Sequence, residues 1–332
     1  MKILLVYFSA TGNTAFYARS LASAIAGRGH RCDLLDVEKR FDLRAVWHAA
    51  PVVPRYMIEA QARIPLETPV GSLVSSENEI KNEALIEAFD KFDRYIANFD
   101  IIGFGSPVYF FEPAAVFSSF IKLIPVQTGK KAFTFATHME GPVWFRKNIR
   151  EALEARGFRI IGHADDHIIH TELLPVMPKF IAGEGVQKAY LRYRRPRINK
   201  KIKAFLDSVN LVKGAAPDQI QPAEAGPVPQ MDQLVGGLVE KALYATLKFS
   251  MGSRIIKEKC VKCGLCASSC PMKMIRMDAD TGYPVRTSHC MYCLRCINIC
   301  PVEAVSYAPL SDGRARFRGF EKLEAAGRIP AR

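Results

Sequence analysis

Long apolar runs are missing from this 332-residue sequence. No segment reaches the roughly 18 apolar residues that a bilayer-spanning helix requires, and the apolar start of MKILLVYFSATG is too short for a signal-peptide core. The expected location is the cytoplasm, where thiols stay reduced and a disulfide framework is not expected. Two nucleotide signatures are also missing. No Gly-Lys-Ser/Thr ending closes a P-loop, and no G-x-G-x-x-G follows a strand. Acidic residues are few against basic ones, 33 Asp and Glu against 46 Lys and Arg, leaving a formal charge of +13. Such a field favours an acidic redox partner protein or peripheral contact with an anionic membrane. No nucleic-acid recognition motif accompanies the charge, so no nucleic acid is expected as a partner.

Cysteine, in contrast, is concentrated. Eight of the nine cysteines fall in two copies of C-x2-C-x2-C-x3-C-P: Cys260, Cys263, Cys266, Cys270 before Pro271, and Cys290, Cys293, Cys296, Cys300 before Pro301. This is the ligand run of bacterial proteins with two [4Fe–4S] clusters, in which the fourth cysteine of each run ligates the other cluster. The expected sets are Cys260, Cys263, Cys266 and Cys300 for one centre, and Cys290, Cys293, Cys296 and Cys270 for the other. Zinc would take four ligands and leave a third closely spaced cysteine without a use. Cys32 stands alone in a strand-like run and reads as a small apolar residue.

Hydrophobic content of 49% supports packed cores, and the length suggests two domains. Lys2–Phe8 reads as a buried strand, Ser9–Thr14 as a loop, and the pattern is then helical to about Arg28. A strand, a loop carrying hydroxyls and glycine, and a helix N-terminus form a phosphate-binding arrangement. Strands follow near Arg31–Val37, Asp100–Gly105, Lys131–Thr137 and Phe158–His163. Helices are expected near Ala84–Ala97, Pro113–Leu123 and Pro142–Arg156. This alternation predicts a parallel, doubly wound α/β sheet.

Over residues 1–165 the chain resembles flavodoxin, through S-A-T-G-N-T after the first strand and S-P-V-Y after the third. The resemblance implies FMN, with Ser9, Thr11, Gly12, Asn13 and Thr14 holding its phosphate. Ser106, Pro107, Val108 and Tyr109 would contact the ring on one side, and Thr137, His138 and Gly141 on the other. Flavodoxins are usually acidic, whereas this chain is basic, and the stretch Pro107–Pro113 has no glycine to assist a peptide flip beside the flavin. Residues 254–309 resemble the bacterial two-cluster ferredoxin, with Lys257, Lys259, Lys262, Lys273 and Arg295 near the ligands. With FMN and both clusters loaded, the net charge would still be roughly +7.

The expected fold is thus a flavodoxin-like five-stranded parallel sheet over residues 1–212 joined to a C-terminal α+β two-cluster ferredoxin domain. Residues 213–253 read as linker and connecting helix, with Leu234, Val235, Leu238, Val239, Ala242 and Leu243 on one face of Met231–Ser250. Residues 310–332 read as a loosely ordered basic tail. Seven of the twelve residues Arg192–Lys203 are basic, and Pro196 is expected to break or kink their helix. That segment reads equally as a solvated face or a docking patch. The fusion implies an electron carrier between FMN, two clusters and a partner redox enzyme, with no catalytic residue nominated. The alternatives are a flavin-dependent reductase fed by the clusters, or a redox sensor.

Overall fold

The computed structural model describes residues 1–53, 83–138, 141–169, 178–222, 253–286, 290–307, 313–317 and 319–320. The helix expected over Met231–Ser250 lies outside them. Strand β1 (Lys2–Tyr7) is buried on both faces: Leu4 and Val6 enter one core, Ile3, Leu5 and Tyr7 the other. Such two-sided burial marks a central strand of a parallel sheet. β2 (Arg31–Asp36), β3 (Ile101–Tyr109), β5 (Lys131–His138) and β6 (Arg159–His167) complete the parallel order β2-β1-β3-β5-β6. A two-residue β4 (Glu112–Pro113) folds back on the end of β3. This is the flavodoxin-like order, whose switch point lies beyond the carboxyl ends of β1 and β3.

Helices cover both faces. α1 (Asn13–Ala26) buries Phe16, Tyr17, Leu21 and Ile25 at helical spacing. The short α2 (Val37–Arg40) and α3 (Leu43–Ala49) follow β2. α4 (Glu83–Ile96) buries Leu85, Phe89, Phe92 and Ile96, and α5 (Ala115–Leu123) and α6 (Val143–Glu154) share its face of the sheet. Each such large apolar side chain contributes roughly 1.5–3 kcal/mol by leaving water. Gly105 in β3 must be glycine, because a Cβ there would lie 2.0 Å from the Phe135 ring.

Three expectations change. β3 runs on through Ser106-Pro107-Val108-Tyr109, because pairing with β5 and β4 continues to its end. After α7 (Lys179–Ala182), α8 (Glu184–Ser208) passes through Pro196 as one helix. Buried Leu191 before the proline and Ile198, Ile202 and Phe205 after it hold the helix against the sheet. The start of the expected linker is also packed: Lys131 Nζ donates to the carbonyls of Pro217 (2.6 Å) and Ile220 (3.1 Å), and Ile220 is buried.

The C-terminal domain pairs β7 (Ser253–Ile255) with β10 (Val305–Tyr307), and β8 (Ile275–Met277) with β9 (Pro284–Arg286). Short helices α9 (Leu265–Ser268) and α10 (Arg295–Ile299) lie within the two cysteine runs, each carrying the third cysteine of its run. The backbone repeats itself between the halves. Lys262 and Tyr292 (both φ 56°), Gly264 and Leu294 (φ 70° and 55°), and Lys273 and Glu303 (φ 52° and 54°) are left-handed in matching places. The tail is anchored in its described part rather than loose. The Phe317 amide donates to Asn298 Oδ1 (2.8 Å), Gln187 Nε2 donates to the Arg316 carbonyl (3.0 Å), and Phe320 packs 4.5 Å from Phe16. It joins the two domains.

Candidate functional site

The two cysteine runs enclose two cavities. Cys260, Cys263, Cys266 and Cys300 line one; Cys270, Cys290, Cys293 and Cys296 line the other. The fourth cysteine of each run therefore crosses to the opposite cavity, as the motif implies. Among the described residues no three Cys, His, Asp or Glu converge on a point that would hold a single ion. Four cysteines around each cavity fit the ligand set of a [4Fe–4S] cluster. Backbone amides donate to three of the sulfurs: Met274 to Cys270 (3.3 Å), Tyr292 to Cys290 (3.3 Å) and Ala304 to Cys300 (3.2 Å). Such bonds stabilise thiolate and favour cluster reduction. Burial pushes the Cys293 thiol well above its usual range and Cys296 to about 12, so ionisation there requires a bound metal centre.

The cavities differ in surroundings. Around the second, Met272, Met291, Tyr292 and Cys293 belong to the same buried core as Phe8, Ala10 and Tyr109 of the flavodoxin-like sheet. Half-buried Arg286 also lines it, its charge favoured first by Cys290 and then by Cys296 and Cys270. No motif announces Arg286. It reaches the cavity because the β8–β9 hairpin folds over the second cysteine run. Around the first cavity, Cys263 is exposed and Val261 is 62% exposed.

Arg295 connects the halves. It stands between Cys293 and Cys296 and donates from Nη2 to the Ser9 carbonyl (2.9 Å), from Nε to the Ala10 carbonyl, and from Nη1 to the Ser269 carbonyl (2.9 Å). It also grips Glu38 through both terminal nitrogens, Nη2 to Oε2 at 2.6 Å. Burial opposes the Arg295 charge, but Glu38 and Cys293 outweigh it and raise its pKa. In a trans peptide C=O and N–H point oppositely. Fixing the Ser9 and Ala10 carbonyls therefore turns the amides of Ala10 and Thr11 away from the guanidinium.

Those amides belong to the expected phosphate loop. Gly12 (φ +102°) precedes α1, whose first turn carries no acidic residue. The helix N-terminus and its dipole suit an anion there. Ser9 Oγ accepts the Ala15 amide (3.0 Å), and Asn13 Nδ2 donates to the Ile169 carbonyl (2.8 Å). Thr14 and Thr137, assigned from sequence to the phosphate and ring ends, meet hydroxyl to hydroxyl at 2.9 Å.

The remaining candidates serve the loops as much as any ligand. Ser106 Oγ accepts the Ala114 amide (3.1 Å) and donates to the Pro107 carbonyl (2.9 Å). Val108 pairs with Pro113 and Tyr109 with Glu112, leaving Phe110 and Phe111 as a two-residue turn, both left-handed (φ 49° and 66°). That conformation is costly for bulky side chains. Tyr109 is 4% exposed.

His138 Nδ1 accepts the Gly141 amide (3.0 Å), so its proton sits on Nε2 and is donated to Asp165 Oδ1 (3.0 Å). Arg146 also donates to Asp165, at 2.5 Å, and His163 Nε2 lies 3.0 Å from the same carboxylate. Burial alone would raise the Asp165 pKa; hydrogen bonds from His138 and His163, with Arg146, instead hold it well below the carboxylate range. Burial keeps His163 below the usual histidine range. Sequence reading missed Asp165, His163, Arg146 and Glu38, since none lies in a motif; it placed Arg295 near the ligands but not its partner.

The basic helix is exposed along much of its length, but part of its charge is paired. Arg194 donates to Asp166, which is fully buried, and Lys201 Nζ reaches the same oxygen at 3.2 Å. Arg195 lies over the Phe16 ring. Neither a solvated face nor a docking patch describes these three residues.

Residues 253–307 match the family described as a 4Fe-4S dicluster domain. Over 49 residues the chain is 41% identical to pyruvate synthase subunit PorD of Methanocaldococcus jannaschii, covering 15% of this chain and 57% of that protein. Over 51 residues it is 33% identical to an uncharacterized ferredoxin of the same organism, covering 15% of this chain and 82% of that protein. A solved structure of an NADH:FMN oxidoreductase is 14% identical with a TM-score of 0.35, over 70% of this chain and 98% of that one. That likeness carries no argument; the fold rests on the strand order. No described helix is long and apolar enough to cross a membrane.

Proposed function

Since the chain belongs, through residues 253–307, to the two-cluster ferredoxins and joins them to a flavodoxin-like sheet, we propose that it passes electrons between FMN and two [4Fe–4S] clusters. One observation carries this reading: the loop of the second cysteine run packs on the loops expected to hold the flavin, with Tyr109, Met291, Tyr292 and Cys293 in one buried core. When bound, FMN exchanges one or two electrons and each cluster one, so the fusion would couple two-electron to one-electron partners.

The residues divide the work. Gly12, Asn13 and Thr14 offer amides, and Thr11 and Thr14 hydroxyls, to the phosphate. Tyr109 and the Phe110–Phe111 turn lie at the ring end. Cys260, Cys263, Cys266 and Cys300 would hold the first cluster, and Cys270, Cys290, Cys293 and Cys296 the second. Arg286 and Arg295 place positive charge beside the second and favour its reduced form. A flavin-dependent reductase needs open room for substrate above the ring. The burial of Tyr109 and of Phe111 (both 4% exposed) supports the carrier instead.

The test is an anaerobic redox titration of the reconstituted full chain, following flavin absorbance and cluster EPR together. Stoichiometric flavin and two cluster signals that equilibrate with each other are expected. Absence of either cofactor after reconstitution overturns the reading. Turnover of small substrates with an artificial reductant would transfer it to the reductase class.

A further inference from the structure

The two clusters of this fold have unequal access to solvent. The second cavity is lined in part by deeply buried residues: Met272 and Met291 are each 1% exposed and Tyr292 2%. The first has a more exposed lining. Of the residues that line it, Cys263 is exposed, Val261 is 62% exposed, Leu265 40% and Val302 36%. Among the described residues nothing covers this apolar patch, which lines the same cavity as the Cys263 sulfur.

Three lysines stand at the rim of that patch, next to a turn that carries Asp278 and Asp280. Lys257, Lys259 and Lys262 are all exposed, with Glu258 the one acidic residue between Ile256 and Cys266. Glu303, beside Val302, is engaged by Lys179 at 3.2 Å. Lys262 is held in place, donating to the Thr281 carbonyl (2.7 Å) and lying over the Tyr283 ring. An apolar centre within a charged rim is the anatomy of a protein interface. Lysines facing lysines would repel, so a second copy of this chain does not fit the surface.

We propose that this face is the docking surface for an acidic one-electron carrier protein, so that electrons enter or leave at the first cluster while the second faces the flavin. The proposal rests on the electron-transfer reading above and adds to it the port and the charge of the partner. In the inward direction the reduced carrier loses one electron at each encounter, and the centre held by Cys260, Cys263, Cys266 and Cys300 gains it. No bond forms or breaks there. The rim lysines steer the encounter, and Val261, Leu265 and Val302 exclude water beneath the docked partner.

The experiment is calorimetric titration of the holo full chain with an oxidised, acidic two-cluster ferredoxin, at two salt concentrations. Both proteins are oxidised, so binding is read without electron flow. Salt-sensitive binding is expected, and Lys257→Glu/Lys259→Glu should raise Kd by about tenfold or more. Arg192→Glu/Lys200→Glu, on the exposed side of α8, should leave Kd unchanged, as should salt-matched controls. Unaltered cluster EPR and flavin spectra certify that the variants are folded. Wild-type Kd in the rim variant, loss of binding only in the α8 variant, or no binding by the wild type would each overturn the proposal. So would rim lysines that bind phosphatidylserine vesicles and not the ferredoxin. Electron exchange between clusters and flavin after dithionite reduction is measured separately. Its failure would sink the proposed function whatever the docking result.

Discussion

Arg295 Nη2 donates to the carbonyl of Ser9 at 2.9 Å across 286 positions of sequence. The cysteine loop of one domain is thereby tied to the phosphate loop of the other by a single guanidinium. Its planar fork is matched by Glu38, whose two oxygens both accept from it. Lysine offers one point charge and cannot reproduce that fork.

Arg295→Ala should therefore loosen the domains by about 2–3 kcal/mol, because Glu38 and two loop carbonyls lose their donor together. Arg295→Lys should recover part of this. The expected signature is slower electron equilibration between flavin and clusters, and weaker FMN retention, with both cluster EPR signals intact. Unchanged equilibration in Arg295→Ala would show that apolar packing alone sets the docking.

Cys263→Ser and Cys293→Ser should differ in consequence. Cys263 faces solvent at the outer cavity, whereas Cys293 is buried against the flavodoxin-like core. The first change should weaken one cluster signal and leave flavin binding as it was. The second should disturb a cluster and the flavin environment together. Equal flavin loss in both variants would contradict the asymmetry.

Acid should unfold the flavodoxin-like domain in two stages. His163 is held below its unfolded pKa by burial, so the unfolded chain binds its proton first and stability falls as pH drops below about 6.5. Asp165 is also depressed, by His138, His163 and Arg146 against the cost of burial. Its contribution is present above about pH 4 and is lost as pH falls further. Thermal melts from pH 7.5 to 3.5 should show both losses. His163→Gln should remove the first stage; a decline between pH 6.5 and 5 that survives it would assign that stage to another group.

Pro196 sits exposed within the continuous helix α8. It forfeits a backbone hydrogen bond and crowds the carbonyl four residues earlier. Pro196→Ala should therefore stabilise the protein by about 1–3 kcal/mol, which is several degrees in Tm for a domain of this size. A lower Tm would mean that the proline's geometry is required for Arg194 and Lys201 to reach Asp166.

Much of the chemistry was legible from local pattern. The spacing of eight cysteines determined which sulfurs share a cavity, since three ligands at intervals of three fill one loop and the fourth is carried to the next. Alternating apolar strands and helices determined the parallel sheet and the helix N-terminus at Gly12, because burial on two faces and phosphate-loop geometry are written over a few neighbouring residues. Tertiary structure alone decided the rest. Asp166 drew Arg194 inward and engages Lys201 from the surface, so part of a run that looked like a free basic surface is paired with a buried charge. Phe317 and Phe320 pinned a tail that looked loose. Arg295 and Glu38 set one cysteine cavity against the loops expected to hold the flavin, and the other keeps one exposed cysteine, Cys263. Periodicity and spacing report only what a residue does with its near neighbours. These outcomes depend on groups from 19 positions apart (Asn298 and Phe317) to 304 apart (Phe16 and Phe320), which meet only when the whole chain has folded.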